Sequence, residues 1–374
     1  MNADAPQISA PSSANARRQA KQIAYKLKRE RVIDNFEVPD TPVAAESAAP
    51  AETPRSKNFR AGFVAIVGRP NAGKSTLLNH LVGQKIAIVT SKPQTTRNRI
   101  QGIVTRPDGQ IIFIDTPGLH TPDSALNRQM MHEVAAALEG IDVLLLMIDA
   151  SRAFPHADQL LLDRAKRFEG KTILALNKID RLPKPKLLPL IDAFAKAFPL
   201  AAIVPISALK GSGLDELQQE IFKQLPESEP FFPEDQITDQ PERFLAAELI
   251  REKAIQLTYH EVPHALAVIV DQFEATPKIL RIHATMYVER DSQKKILIGT
   301  KGEMLKKVGT EARKELENLL GSKIFLELFV KVVPDWRENP TKVRELDWHA
   351  QLEALSSHQL LQDQAKKFAH NDED

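Results

Sequence analysis

The stretch Gly68-Arg69-Pro70-Asn71-Ala72-Gly73-Lys74-Ser75 has the pattern Gly-x4-Gly-Lys-Ser, with Thr76 next in line. Backbone N–H groups of such a loop wrap phosphates and seat them at a helix N-terminus. Lys74 then reaches the β- and γ-phosphates, and Ser75 offers its hydroxyl to Mg2+. Alone, this says nucleoside triphosphate and no more. Asn177-Lys178-Ile179-Asp180, further along, narrows it. The Asp180 carboxylate can accept from guanine N1–H and the 2-amino group together. Adenine offers neither donor and leaves the carboxylate unpaired, a mismatch that discriminates by orders of magnitude. Lys178 is placed to cover the base, and Asn177 to tie the base-binding loop to the phosphate loop. Ser207-Ala208 follows, where the backbone can donate to the guanine carbonyl oxygen. The set points to GTP and GDP.

Asp115-Thr116-Pro117-Gly118 completes the phosphate end. Asp115 is expected to hold Mg2+ through water, because Mg2+ gives up its hydration shell reluctantly. Gly118 lets its N–H approach the γ-phosphate. That contact vanishes on hydrolysis, which makes the following loop a switch. Between the phosphate loop and Asp115 lies the polar segment Ser91 to Arg99, with Thr95-Thr96-Arg97 inside it. A threonine here completes the Mg2+ shell; Thr96 is preferred, with Thr95 the alternative. The expected catalytic set is Lys74, Thr96, Asp115 and Gly118, and the expected Mg2+ ligands are Ser75, Thr96 and Asp115.

These residues need a frame. Short apolar runs at Phe63–Val67, Ile111–Ile114, Val143–Ile148, Thr172–Leu176 and Ile203–Ile206 alternate with helical stretches. Strands buried on both faces and alternating with helices imply an α/β, doubly wound and mostly parallel sheet over residues 58–228. Ligands bind beyond the carboxyl ends of strands in such sheets, where most of these motifs fall. A proline-rich stretch, Pro226 to Pro233, opens a linker set at 229–240. Residues 241–336 read as a small α+β unit. Its expected elements are helices at Phe244–Leu257 and Met304–Leu320 and strands at Ala265–Phe273, Leu280–Val288 and Ile324–Val333.

Within that unit, Ile298-Gly299-Thr300-Lys301-Gly302 precedes a helix. Gly-x-x-Gly with a basic residue inside, before a helix, is the signature of a KH domain. The glycines let the chain approach a nucleic-acid backbone, and Lys301 meets phosphate. Lys294, Lys295 and Lys306, with Arg290, Lys307, Arg313 and Lys314 nearby, make this a local basic region. Bases are expected beside Ile296, Ile298 and Leu305.

The rest of the composition mostly excludes. Over 374 residues, 50 Lys+Arg balance 49 Asp+Glu for a net charge of +1, so only local clustering speaks for nucleic acid. Without cysteine there is no disulfide framework and no Cys-ligated metal, which fits a reducing compartment. No run of about 18 apolar residues suggests a membrane span. Residues 1–57 are rich in Ala, Pro and Ser, with a basic stretch from Arg17 to Arg31 that could touch nucleic acid or a membrane surface. Asp4, Glu30 and Asp34 argue against a mitochondrial transit peptide and favour a disordered or partly helical cytosolic extension. Residues 337–374 read as a polar tail.

The nucleotide motifs resemble those of the translation-factor-related GTPases, in their Era and tRNA-modification branches. Ile237-Thr-Asp-Gln240, Glu248-Leu-Ile-Arg-Glu-Lys253, Glu311-Ala-Arg-Lys314 and Leu326-Glu-Leu-Phe-Val-Lys331 extend the likeness. From about Phe59 to Trp336 the chain resembles the Era family of bacterial ribosome-assembly GTPases. The resemblance implies an Era-type GTPase domain followed by a type II KH domain. It also implies Mg-dependent conversion of GTP to GDP and phosphate. The implied partners are the 3′ end of small-subunit ribosomal RNA and the small ribosomal subunit, whose maturation such proteins assist. A monomer in the cytoplasm, with peripheral contact on the inner face of the cell membrane, goes with this reading. The rival readings are a tRNA-modification GTPase and an RNA-binding scaffold with weak GTPase activity. Leu119 stands where Ras-like proteins carry a catalytic glutamine, so water must be oriented by other groups and intrinsic turnover should be slow. In related GTPases an asparagine at the position of Asn71 helps bind K+, which supplies positive charge in the manner of an arginine finger.

Overall fold

The computed structural model describes residues 58–347, apart from 93–94, 119–122, 152–161, 163–164, 167, 169 and 260. Expectations for Leu119, for the N-terminal extension and for the chain beyond 347 lie outside the described residues.

The first domain is a six-stranded sheet in the order β2-β3-β1-β4-β5-β6. Its strands are β1 (Arg60–Gly68), β2 (Ile100–Arg106), β3 (Gly109–Asp115), β4 (Val143–Asp149), β5 (Lys171–Asn177) and β6 (Ala202–Pro205). All neighbours pair in parallel except β2, which runs antiparallel to β3. β3 and β4 are buried along almost their whole length, as continuous apolar runs require. Apolar clusters fill both faces, one around Ile66, Leu77, Leu145 and Ile221, the other around Leu146, Leu174, Phe194 and Phe198. Helices α1 (Lys74–Val82), α2 (Ala125–Leu138), α3 (Leu187–Ala197) and α4 (Leu214–Gln224) connect the strands. Register sets the site: Ile66 pairs with Asp115 and Asp149 with Asn177, so the polar motifs leave the sheet at one edge.

The second domain has α5 (Glu242–Leu257), a single turn α6 (Val262–Ala265), β7 (Ala267–Ala275), β8 (Leu280–Val288), α7 (Asp291–Ile298), α8 (Glu303–Leu320) and β9 (Ile324–Val332). β8 is central, antiparallel to β7 and parallel to β9. Its inward residues Ile282, Ala284, Met286 and Val288 pack in one cluster with Ile250, Leu297, Val308, Ala312 and Leu316 from the helices.

Four elements differ from expectation. β2 is an added edge strand. The strand expected from Ala265 begins at Ala267, because α6 takes up the preceding residues. Helix α7 occupies the lysine-rich segment ahead of the glycine turn. The tail expected from 337 opens with a short helix, α9 (Pro340–Glu345), which seats Val343 with Trp336 against Leu126 and Met130 of α2. The linker is not loose either. The side chain of the fully buried Gln110 donates to the Phe232 carbonyl at 2.9 Å and accepts from the Phe231 and Phe232 amides at 2.8 and 3.0 Å. Thr238 adds a bond to the Gln101 carbonyl at 2.6 Å. No helix among the described residues is long and apolar enough to cross a membrane.

Candidate nucleotide site and nucleic-acid surface

α1 starts where β1 ends, so Lys74 sits at the mouth of the phosphate loop. It is buried, and its ammonium donates to the Gly68 and Arg69 carbonyls at 3.2 and 3.3 Å. Burial pulls its pKa down, partly offset by Asp115. Beside it, Ser75 Oγ donates to Asp115 Oδ2 at 2.6 Å. Thr96 Oγ1 lies 2.9 Å from Ser75 Oγ and 3.5 Å from Asp115 Oδ2. Burial pushes the Asp115 carboxyl up, although Lys74 and these hydroxyls oppose it. Asp115 Oδ1 is buried with no partner among the described residues. Three convergent hard oxygens, one from a buried carboxylate whose second oxygen lacks a partner among the described residues, fit Mg2+. Thr95 does not join them: its hydroxyl turns into its own loop, onto Thr90 Oγ1 at 2.6 Å and the Lys92 carbonyl at 2.7 Å.

Gly118 packs on the phosphate loop. A Cβ there would lie 2.8 Å from the Pro70 ring and nitrogen, so no side chain fits. Pro117 is buried beside it. The Thr116 hydroxyl points back into the sheet, donating to the Ile66 carbonyl at 2.9 Å, so its side chain serves strand pairing. An open cleft lies over Lys74, Ser75 and Thr76, lined by Pro70, Asn71, Ile88 and Thr96.

At the base end, Asn177 Nδ2 donates to the Ala72 carbonyl at 2.7 Å while its Oδ1 accepts from the Ala208 amide at 2.9 Å. One buried side chain thus ties three loops together, as its motif implies. Lys178, at φ 64°, bonds the Asn71 carbonyl and Asp149 Oδ2, both at 2.7 Å. Asp180 is exposed and accepts from Ser207 Oγ at 2.6 Å; that bond is the main cause of its lowered pKa. Asn71 donates its amide to the Ser91 carbonyl at 3.1 Å.

The glycine turn of the second domain is built differently. Gly299 ends α7 at φ 72°, and a Cβ on it would meet Met304 Cβ at 2.7 Å. Lys301 at φ 51° and Gly302 at φ 82° complete a left-handed bend that opens α8. Thr300 and Lys301 project into solvent. Lys294, Lys295, Lys301 and Lys306 have no ion-pair partner among the described residues. Ile296 is 44% exposed, with Ile298 and Leu305 half-buried nearby.

Residues 63–178 match the 50S ribosome-binding GTPase family, and residues 261–337 match a KH domain family. GTPase Era of Syntrophus aciditrophicus (strain SB) is 47% identical over 293 residues, spanning 78% of this chain and 96% of that protein. The chain belongs to the Era GTPase family. GTPase Era of Geobacter sp. (strain M21) is 46% identical over 78% of this chain and 99% of its own length. Among solved structures, Era in complex with MgGDPNP and nucleotides 1506–1542 of 16S ribosomal RNA superposes with a TM-score of 0.75. That pair is 47% identical and covers 78% of this chain and 99% of the other. An Aquifex aeolicus Era variant bound to GDP and AlF4− gives 0.74 at 46% identity, over 77% and 99%.

Two functional candidates in this Era fold escaped the sequence reading. Asp149 ends β4 as Asp115 ends β3, and it holds Lys178 over the phosphate loop. Burial raises the Asp149 pKa, but bonds from Lys178 and Ser151 outweigh this and leave it lowered. An acidic residue closing an apolar run was the available signal. Arg97, to which its polar segment assigns no role, is only 8% exposed.

Proposed function

We propose that this protein is a GTP-hydrolysing switch that binds the 3′ end of small-subunit ribosomal RNA through its KH domain and assists maturation of the small subunit. The observation that carries the reading is the meeting of Ser75, Thr96 and Asp115 at 2.6 and 2.9 Å, on the same chain as unpaired lysines around Gly299–Gly302. Family membership and the RNA-bound Era relative support it. The proposed GTP contacts are residues 68–76 and 115–118, with Asn177, Lys178, Asp180, Ser207 and Ala208.

Hydrolysis transfers the γ-phosphoryl group to water, and the protein's part is positioning and charge. Lys74 neutralises charge building on the β- and γ-oxygens. The Gly118 amide would donate to the same oxygens. Mg2+, held by Ser75, Thr96 and Asp115, would supply positive charge to offset that on the phosphates. Leu119 offers no hydrogen bond to the attacking water, so a K+ ion near Asn71 is the proposed substitute. Its amide nitrogen is committed to Ser91, which leaves Oδ1 to face a cation. Equal hydrolysis rates in K+ and Na+ would remove the ion from the scheme. A cytoplasmic monomer with peripheral membrane contact completes the proposal.

The test loads the protein with GDP or a non-hydrolysable GTP analogue and measures binding to a single-stranded 16S 3′-end oligonucleotide. The oligonucleotide is then added during hydrolysis. Unequal affinities and an altered rate are expected. Equal affinities with an unaltered rate sink the switch.

A further inference from the structure

Thr96 is held from outside its own domain. The residue before it is tied through its backbone: the Thr95 carbonyl accepts from Arg251 Nη2, on α5. The residue after it is tied through its side chain. Arg97 Nη1 donates to the Leu266 carbonyl at 2.7 Å and Nη2 to the His264 carbonyl at 2.9 Å. Its guanidinium lies 5.7 Å from the centre of the Trp336 ring. All four anchors lie beyond the linker. Arg251 is itself locked, with Nε and Nη2 each 2.7 Å from one of the two Glu248 carboxylate oxygens. Arg97 meets carbonyls and an aromatic face rather than a carboxylate, and its Nε is buried without a partner among the described residues. Burial, with Arg251 next in effect, pulls it down to about 9. A cation so desolvated is stable only while those carbonyls stay in place.

Consecutive Cα atoms are separated by a fixed distance of about 3.8 Å. When both neighbours are pinned, the residue between them keeps little beyond its rotamer. That residue is the one whose hydroxyl sits 2.9 Å from Ser75 Oγ.

We propose that Arg97 and Arg251 are positioning residues for GTP hydrolysis, setting the Thr96 hydroxyl in the Mg2+ shell from the KH side of the molecule. The inference rests on Thr96 as a Mg2+ ligand. It goes further, because the metal affinity of the GTP-bound state then depends on how the KH domain is seated.

The test uses full-length protein and measures affinity for a fluorescent non-hydrolysable GTP analogue and for fluorescent GDP as Mg2+ is varied. Removing groups that orient a metal ligand typically weakens metal affinity by about 10- to 100-fold. Thr96→Ala, Arg97→Lys and Arg251→Met are each expected to raise the Mg2+ needed for half-maximal analogue binding by about tenfold or more. GDP affinity should stay within about twofold of wild type, since the threonine serves the triphosphate state; this also reports an intact nucleotide domain. Lys85→Met is the control. Lys85 bridges the same two domains through Glu252 and Glu315 without touching residues 95–97, so it should leave the Mg2+ requirement unchanged. A rise in Thr96→Ala alone overturns the clamp and keeps the ligand assignment. No rise in any of the three overturns both. An equal rise in Lys85→Met also overturns the clamp, by showing that any loosening of the junction suffices.

Discussion

Two places in this molecule are fitted to phosphate, and they are made in opposite ways. In the nucleotide site, Lys74, Asp115 and Asn177 are all nearly inaccessible, and each is held by hydrogen bonds to the phosphate loop or the helix it opens. At the Gly299–Gly302 turn the backbone is shaped but the cations are loose, with Thr300 and Lys301 in solvent. A reaction needs charges fixed before the transition state arrives, because reorganising them then costs rate. A flexible single strand needs close approach and a field of charge, for which mobile lysines suffice. Rigid polar lattices thus mark the chemistry here, and open ones mark recognition.

The sharpest break of that contrast comes from Lys74→Ala. It should cut kcat/KM for GTP by about 10²- to 10³-fold, as loss of one preorganised charge does elsewhere. RNA affinity of the same preparation, measured without nucleotide, should not move. Phosphate release and filter binding measure the two, and hydrolysis within tenfold of wild type refutes the role of Lys74. Asp180→Asn comes next, with a loss of GTP affinity of about 10²-fold. Xanthosine triphosphate should regain part of it, because its 2-carbonyl accepts from the new amide. A variant that still prefers GTP rules out Asp180 as the guanine reader.

On the open side, Gly302→Asp should weaken RNA binding by about tenfold and leave hydrolysis unchanged, since a carboxylate would face the phosphates. Nothing lies within 4 Å of a Cβ at Gly302, whereas one at Gly299 strikes Met304. Both sites hold a left-handed backbone that a side chain strains, and Gly299→Asp adds this clash, so it should lower Tm further than Gly302→Asp does; equal Tm values contradict the tight packing. The smallest effect belongs to Lys301→Ala. It should reduce the slope of log affinity against log salt by about 0.7, equally for different RNA sequences. An unchanged slope removes Lys301 from the phosphate contacts.

How much of this was legible beforehand follows the same division. Lys74, Asp115, Asn177 and Asp180 declared themselves because phosphate and guanine chemistry demand those types directly after apolar runs. β8 was foreseen over its full length, since Leu280 to Val288 alternates cleanly. β2 was not: Ile100-Gln-Gly-Ile-Val-Thr-Arg106 is interrupted by Gly102, and its existence depends on pairing with β3. α7 buries only Gln293 and Leu297, too little apolar periodicity to announce a helix. Trp336 and Val343 gave no hint of their seat because Leu126 and Met130, which cover them, are about two hundred residues away. Arg97 read as loop for the same reason: its partners belong to another domain.

The strap fastened by Gln110 has a thermodynamic consequence. Because the connector is already ordered, the KH body meets the nucleotide domain at a high effective concentration, with no chain left to immobilise. Seated and displaced arrangements then differ by a few contacts rather than by a whole interface. Reversing a 1:99 population needs about 5.5 kcal/mol, a sum within reach of the proposed threonine–metal contact together with two guanidinium bridges. A loose tether would add an entropy difference between the two arrangements for the nucleotide to offset.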